Sequence, residues 1–228
     1  MSTIADNVSQ VDERIRAAAL VAQRDPSTIG LLAVSKTKPA AALREAYAAG
    51  LHDFGENYLQ EALSKQLELA DLPLCWHFIG PIQSNKTRAI AEHFAWVHSV
   101  DRLKIAQRLS EQRPAELPAL NICIQINVSG EASKSGCTPE DLPALAAAIS
   151  LLPRLKLRGL MAIPEPTDDS AAQNAAFAAV SSLQHSLNLP LDTLSMGMSH
   201  DLEAAIAQGA TWVRIGTALF GARDYGQP

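Results

Sequence analysis

The chain has 228 residues, of which 47% are hydrophobic and 19% charged, and its formal net charge is −5. This charge argues against nucleic acid or an anionic membrane as the main partner, since both require a basic surface. No signal-peptide pattern and no apolar run of about 18 residues is present, which predicts a cytoplasmic protein. The three cysteines are odd in number and far apart, and they fit neither a disulfide framework nor a metal-ligand spacing.

Short apolar runs alternate with longer helical patterns after an opening helix at about residues 4–24. The predicted strands are, in chain order, IGLLAVSK, LHDFG, LCWHFIG, AWVHSV, LNICIQINV, LKLRGLMAI, LDTLSMG and TWVRIG. In the first helix between them, Pro39 suits the first turn and Gly50 the end. Eight such units predict an α/β fold, a single (β/α)8 TIM barrel that forms one domain over residues 1–228. A doubly wound dinucleotide fold is disfavoured, since no Gly-rich fingerprint follows the first strand.

Functional residues of such barrels collect where the strands end, and the first strand ends in the sequence SKTKP. Alternation places Leu32, Val34 and Lys36 on one face, without showing whether that face is the barrel interior. Lys38 precedes Pro39, where the chain is leaving the strand, so Lys36 is predicted to be the lysine that the sheet still holds. A desolvated lysine is a nucleophile that forms Schiff bases, whereas a lysine that extends to solvent has no such role. The residues of the first strand alone favour the interpretation in which Lys36 extends to solvent and has no chemical role.

Other strand ends carry weaker signals. Asn57 either presents its amide to the barrel mouth or caps a helix. His77 alternates with apolar neighbours and is predicted to pack along its strand. Residues 83–86 form a polar helix start at the same end of the barrel, and Lys134 lies in a small polar loop as a solvated charge. Met161 offers an apolar surface to a flat ligand.

The last two strands carry the strongest signal. Each runs through a glycine into a hydroxyl residue before a helix, at Ser199 and at Gly216-Thr217. Free N–H groups at such positions favour an anion, and these are the loops in which barrel enzymes commonly bind phosphate. Helix capping by the two hydroxyls is the alternative. Arg214 interrupts the eighth strand and needs an acceptor, either a carboxylate or a ligand.

The segments AVSKTKP, FGENYLQEA, WHFIGPIQSNK, GLMAIP and LSMGMSHDLEAAIAQGATWVRIGTALFG closely resemble the pyridoxal phosphate homeostasis protein family. This family is similar to the N-terminal barrel of alanine racemase (fold type III), and the resemblance spans essentially the whole chain. It implies pyridoxal 5′-phosphate (PLP) as the cofactor, held as an internal aldimine, a Schiff base, on Lys36. It also implies phosphate binding by Ser199, Gly216 and Thr217, a bond from Arg214 to the pyridine nitrogen, and a pocket position for Asn57.

Alanine racemase carries a second domain, and its opposite-face tyrosine base comes from that domain of the partner subunit. Here the chain ends soon after the eighth strand, and Tyr47, Tyr58 and Tyr225 do not match that base. Racemisation needs proton transfer on both faces of a carbon, and Lys36 serves only one. A cation beside the ring nitrogen also disfavours the pyridinium form and weakens the cofactor's electron sink.

The resulting hypothesis is a protein that binds and buffers PLP without robust catalytic turnover, with no metal and no catalytic residue beyond Lys36. The first alternative is an alanine-racemase-like or other PLP-dependent enzyme acting on amino acids, and the second is an aldolase-type barrel that uses Lys36 on a phosphorylated sugar. The implied partners are PLP, apo forms of PLP-dependent enzymes and amino acids, with a monomer as the default state.

Overall fold

Eight parallel strands close into a barrel in their chain order in the computed structural model, which describes residues 2–128 and 135–221. The strands are β1 Gly30–Val34, β2 Asp53–Glu56, β3 Cys75–Phe78, β4 Trp96–Val100, β5 Leu120–Ile126, β6 Leu155–Ala162, β7 Thr193–Ser195 and β8 Trp212–Ile215. Pairing of β8 with β1, with Leu32 opposite Arg214, closes the barrel. The prediction of a (β/α)8 TIM barrel is confirmed.

Helices alternate with the strands and pack around them. They are α1 Ile4–Val21, α2 Ala40–Ala48, α3 Leu59–Glu68, α4 Thr87–His93, α5 Leu103–Gln112, α6 Leu142–Ser150, α7 Ser170–Ser186, α8 Leu202–Ala207 and α9 Thr217–Phe220. Across the part of the chain that the structure describes, no helix combines the length and hydrophobicity needed to cross a membrane.

Strand alternation divides the core into two parts. Leu31 and Ala33 pack in the large hydrophobic cluster that the strands share with the helices. Leu32 is fully buried outside that cluster and lies beside Gly55, within the barrel. The face that carries Leu32 and Val34 is therefore the interior face, which the sequence pattern left open. A small separate cluster of Trp96, Cys123 and Met161 also fills the interior.

The first strand is shorter than the sequence predicts. β1 ends at Val34, so the prediction that the sheet still holds Lys36 is wrong. The chain turns instead: the Lys38 N–H donates to the Ser35 carbonyl at 3.1 Å, and Thr37 has a φ of 65°. A left-handed residue cannot continue a strand. Lys36 lies in this turn and is half-buried rather than buried.

The opening helix holds the last two loops of the barrel in place. It ends at Val21, three residues before the predicted end, because Gln23 adopts a left-handed φ of 55°. The Asn7 amide donates to the Leu219 carbonyl at 2.8 Å. Arg14 donates to the Ser199 carbonyl at 3.0 Å. α1 therefore anchors the segments that follow β7 and β8.

Candidate functional site

A cavity of about 210 Å³ opens at the end of the barrel where the strands terminate. All six residues that the family resemblance assigns to the cofactor line it: Lys36, Asn57, Ser199, Arg214, Gly216 and Thr217. Apolar walls come from Val34, Ile79, Ile163 and Met198. The cavity thus combines amine, guanidinium, amide and hydroxyl groups with apolar surface, the usual composition of a small-molecule site.

Two lysines reach the cavity from the turn after β1. Lys36 follows Val34 at the spacing of the interior face, and both line the cavity. Lys38 also lines it, and its Nζ donates to the Phe220 carbonyl at 2.9 Å. The Lys38 amine is thereby tied to the end of α9.

The loops after β7 and β8 present unused donors to the cavity. Neither predicted hydroxyl caps a helix: Asp201 is the N-cap of α8 and Gly216 that of α9. Within residues 2–128 and 135–221, the backbone N–H groups of Ser199, Gly216 and Thr217 donate to no protein acceptor. Convergent backbone N–H groups and hydroxyls of this kind bind anions. The capping alternative for Ser199 and Thr217 is therefore wrong, and their donors are available to a ligand.

Arg214 is buried at the inner end of the cavity, with 5% of its surface exposed. Its Nη1 donates to the Ser195 carbonyl at 2.5 Å and to Ser195 Oγ at 3.0 Å. Its Nη2 donates to the Ala162 carbonyl at 2.9 Å. Burial lowers the pKa of Arg214 to about 10, with Asp201 opposing the shift, so the guanidinium stays charged at neutral pH. No carboxylate of the described residues pairs with it, which removes the salt-bridge alternative there.

Asn57 Oδ1 is a buried acceptor in the cavity lining without a hydrogen-bond partner among the described residues. A buried unpaired acceptor costs about 1–3 kcal/mol, which makes this residue at the cavity wall a candidate for ligand binding. The expectation for Met161 is wrong. Met161 is fully buried in the interior cluster, and Met198 supplies the apolar sulfur side chain of the cavity.

His77 packs along its strand as predicted, but its position inside the barrel and its partners were not predicted. It is fully buried, and its ring nitrogens lie 2.9 Å from His98 Nε2 and 3.0 Å from Asp53 Oδ1. Cys75 is half-buried, and its Sγ lies 3.4 Å from His77 Nε2. Burial raises the pKa of this thiol to about 12, so it stays protonated.

Among the residues that the structure describes, the buried lysine is Lys65, which sequence reasoning also missed. Its Nζ donates to the Ser35 carbonyl and to Glu56 Oε1, both at 2.7 Å, and to Glu61 Oε1 at 2.5 Å. Glu61 accepts in addition from the Thr37 N–H at 2.6 Å. This network holds the residues on both sides of Lys36. The only sequence signal was the i, i+4 spacing of Glu61 and Lys65 on one helix.

Several other candidates lie elsewhere. Tyr47 lies within α2 and Tyr58 directly before α3, and neither lines the cavity. Ser84–Lys86 forms a 3-10 helix that likewise does not line it. Lys134 and Tyr225 lie outside the described residues.

Comparison with known proteins agrees with this arrangement. A family model described as alanine racemase, N-terminal domain, matches residues 2–224. The pyridoxal phosphate homeostasis protein of Pseudomonas aeruginosa is 79% identical over 228 residues, covering 100% of this chain and 99% of that protein. The protein of the same name from Escherichia coli K12 is 56% identical over 231 residues, covering 99% of each.

Solved structures of similar fold support the same family assignment. PipY of Synechococcus elongatus, with PLP bound, is 42% identical with a TM-score of 0.82, covering 96% of this chain and 100% of that chain. Alanine racemase of Streptomyces lavendulae is 20% identical with a TM-score of 0.72, covering 96% of this chain and 57% of that chain, and it shows the shared fold alone. The chain therefore belongs to the alanine racemase N-terminal domain family and, within it, to the pyridoxal phosphate homeostasis proteins.

Proposed function

We propose that this protein binds pyridoxal 5′-phosphate through a Schiff base on Lys36 and takes part in intracellular PLP homeostasis, without robust catalytic turnover. The observation that carries the proposal is the single cavity in which Lys36, Arg214 and the unused donors of Ser199, Gly216 and Thr217 converge. The names of the two bacterial relatives and the PLP bound to PipY support it.

The residues of the cavity fit this cofactor. PLP supplies an aldehyde for reversible covalent capture and a ring that withdraws electrons. Lys36 provides the amine that the aldehyde requires, while Ser199, Gly216 and Thr217 provide N–H and hydroxyl donors for a phosphate. Arg214 provides a cationic donor for the ring nitrogen, and the orphaned Asn57 Oδ1 provides an acceptor.

A holding role is favoured over racemase activity by the proton-transfer groups at hand. Racemisation needs a second base opposite Lys36, and neither Tyr47 nor Tyr58 lines the cavity. His200 and Lys38 do line it, so turnover of an amino acid is the alternative that experiment must address. The proposal treats residues 1–228 as one cytoplasmic, monomeric PLP-binding unit. Apo enzymes and amino acids are its further partners, and its net charge of −5 suits neither nucleic acid nor a membrane.

The proposal is tested by adding PLP to the purified protein, reducing with borohydride, and locating the modified residue by mass spectrometry. We expect one pyridoxyl group on Lys36 and none in Lys36→Ala. The matched control is Lys86→Ala, which alters a half-buried lysine outside the cavity and should label as the wild type does. Labelling that survives in Lys36→Ala refutes the assignment.

Turnover is tested separately by incubating the PLP-loaded protein with a panel of L- and D-amino acids and following both enantiomers by chiral chromatography. The holding role predicts no steady conversion above free PLP. Conversion that continues over many turnovers and disappears in Lys36→Ala establishes the enzyme instead.

A further inference from the structure

A continuous file of polar side chains crosses the apolar interior of the barrel. It begins at Arg214, where Nη1 lies 3.0 Å from Ser195 Oγ, and continues from Ser195 Oγ to His98 Nδ1 at 2.7 Å. His98 Nε2 lies 2.9 Å from His77 Nδ1, and His77 Nε2 lies 3.0 Å from Asp53 Oδ1. Arg214 lines the cavity, whereas Asp53 opens β2 at the opposite end of the barrel.

The middle of this file is closed to solvent. Ser195, His98 and His77 have no exposed surface, while the Asp53 side chain is 30% exposed. Aromatic rings surround the histidines: His77 stacks on Trp96 with ring centres 5.5 Å apart and meets the edge of Trp212 at 5.2 Å. Water is not available to satisfy these groups, so each must find its partners within the file.

The two ends determine the direction of every hydrogen bond. A guanidinium can only donate and a carboxylate can only accept. With Arg214 donating to Ser195 Oγ, the hydroxyl hydrogen is left for His98 Nδ1. His98 must then carry its proton on Nε2 and donate to His77 Nδ1, and His77 must donate from Nε2 to Asp53. Four bonds point one way, and both histidines are neutral with the proton on Nε2.

The titration behaviour of these groups agrees with that arrangement. Burial lowers the pKa of His77 against the opposing effect of Asp53, and it lowers that of His98 further, with added repulsion from His77 and Arg214. Burial is the largest influence on the pKa of Asp53 and raises it, but the hydrogen bond from His77, with smaller effects of Cys75 and His52, leaves the pKa below its ordinary value. The file therefore has a cation at one end, an anion at the other and neutral groups between them.

The arrangement determines what Arg214 presents to the cavity. Arg214 Nη1 donates to two acceptors of Ser195, its carbonyl and its hydroxyl oxygen, and Arg214 Nη2 donates to the Ala162 carbonyl. Three of the five guanidinium N–H groups thus have protein acceptors among the described residues, which leaves Nε–H and one Nη2–H. Ser195 Oγ can accept from Arg214 because His98 draws its hydrogen away.

We propose that Ser195, His98, His77 and Asp53 are positioning residues for Arg214, forming a one-way hydrogen-bond chain that couples the arginine of the cavity to a carboxylate at the opposite end of the barrel. The hydrogen-bond chain orients the guanidinium and connects it to the carboxylate of Asp53. The effect of this hydrogen-bond chain on a bound cofactor rests on the function proposed above, whereas the hydrogen-bond chain itself is present in the protein without cofactor.

The first experiment uses the cofactor-free protein, so that it stands independently of the proposed function. Two-bond ¹H–¹⁵N correlation spectra of ¹⁵N-labelled protein distinguish protonated from unprotonated ring nitrogens. We expect neutral rings with the proton on Nε2 for both His77 and His98. A proton on Nδ1 of either ring, or a doubly protonated ring, at neutral pH overturns the chain.

The same spectra test transmission along the chain. Asp53→Asn keeps the size of the side chain and an acceptor oxygen but removes the charge, so it should shift the His98 ring signals and the Arg214 Nε–H signal. Asp71→Asn is the control, because Asp71 is an exposed carboxylate that pairs with Arg44 outside the barrel. Unmoved His98 and Arg214 signals in folded Asp53→Asn refute the coupling.

The second experiment reads the effect at the cavity. Ser195→Ala removes the hydroxyl next to Arg214 and should weaken PLP binding about fivefold and shift its bound absorption band. Ser110→Ala is matched to it, since Ser110 is a buried serine that donates to the Pro153 carbonyl outside the barrel interior. If Ser195→Ala does not fold, Asp53→Asn, altered at a partly exposed position, takes its place. Wild-type affinity and spectrum in the variant, with Lys36 still labelled, refute the positioning role without affecting the proposed function.

Discussion

Replacing Lys65 with methionine tests how the turn that carries Lys36 is held. Lys65 is 4% exposed and donates three hydrogen bonds, two of them to the carboxylates of Glu56 and Glu61. Methionine has a similar length and leaves little void, so the change isolates the loss of the ammonium group. Glu56 then remains fully buried without its cationic partner.

The expected loss is large because one partner of a buried pair is removed. Such a change typically costs about 3–5 kcal/mol, a large part of the 5–15 kcal/mol that stabilises a typical domain. The loss should also depend on pH. Burial already raises the pKa of Glu56 above its ordinary value, with Lys65 opposing the rise, and the variant removes that opposition.

The sign of the pH dependence follows from proton binding. With a raised pKa, the native state holds a proton that the unfolded state has released, so stability falls as the pH rises from the unfolded to the folded pKa. The difference between Lys65→Met and wild type should therefore be smaller near pH 5 than near pH 8. Urea unfolding followed by tryptophan fluorescence at both pH values measures it.

Two further variants decide the interpretation. Lys104→Met alters an exposed lysine on α5 and should change the unfolding free energy by no more than about 0.5 kcal/mol. The double variant Lys65→Met/Glu56→Gln removes the stranded charge and should be more stable than Lys65→Met alone. A loss below about 1 kcal/mol in Lys65→Met, or a double variant no more stable than the single one, would refute the reasoning.

Three other substitutions have definite expected outcomes. In Gly159→Ala the new Cβ would lie 1.7 Å from the Thr193 carbonyl oxygen between β6 and β7, so we expect no soluble folded protein, and a normal unfolding transition contradicts this. Arg113→Met leaves the buried backbone carbonyls of Ala91 and Phe94 without this donor, together with the partly buried carbonyl of Pro118. It should lower the unfolding free energy by about 2–4 kcal/mol in urea titration, and a change under about 1 kcal/mol argues against it. Asn57→Ala removes a buried acceptor that has no partner among the described residues, so the melting temperature should be unchanged or raised. The affinity for PLP in a spectroscopic titration should fall about fivefold. Unchanged affinity disproves the ligand contact.

The fold was predictable because each of its signals is local. Eight apolar runs separated by helical patterns identify the strands, and alternation correctly grouped Leu32, Val34 and Lys36. The same alternation applied to the third strand would have placed Cys75 and His77 with Ile79 on the interior face. Chain order also brought Ser199 and Thr217 to one end, because all strands of such a barrel run the same way.

What could not be predicted depends on register and closure. The partners of His77 come from β2 and β4, and those of Arg214 come from β6 and β7, so neither set follows from a single strand. The end of β1 was missed because Ser35 and Lys36 continue the sequence pattern of side chains that alternate between the two faces of a strand. The left-handed Thr37 that turns the chain has no sequence signal. A threonine rarely adopts this conformation, since β-branched residues are strained there.

That strain connects the position of Lys36 to residues far along the chain. A β-branched residue with φ of 65° persists only where its surroundings hold it. Here the Thr37 N–H donates to Glu61, and Lys65 donates to both Glu61 and the Ser35 carbonyl. These hydrogen bonds from α3 therefore fix the turn on each side of Lys36. The amine is therefore presented by a turn clamped from a neighbouring helix rather than by the strand. A change on α3 that leaves every cavity residue in place should still move Lys36, the group that we propose captures the cofactor.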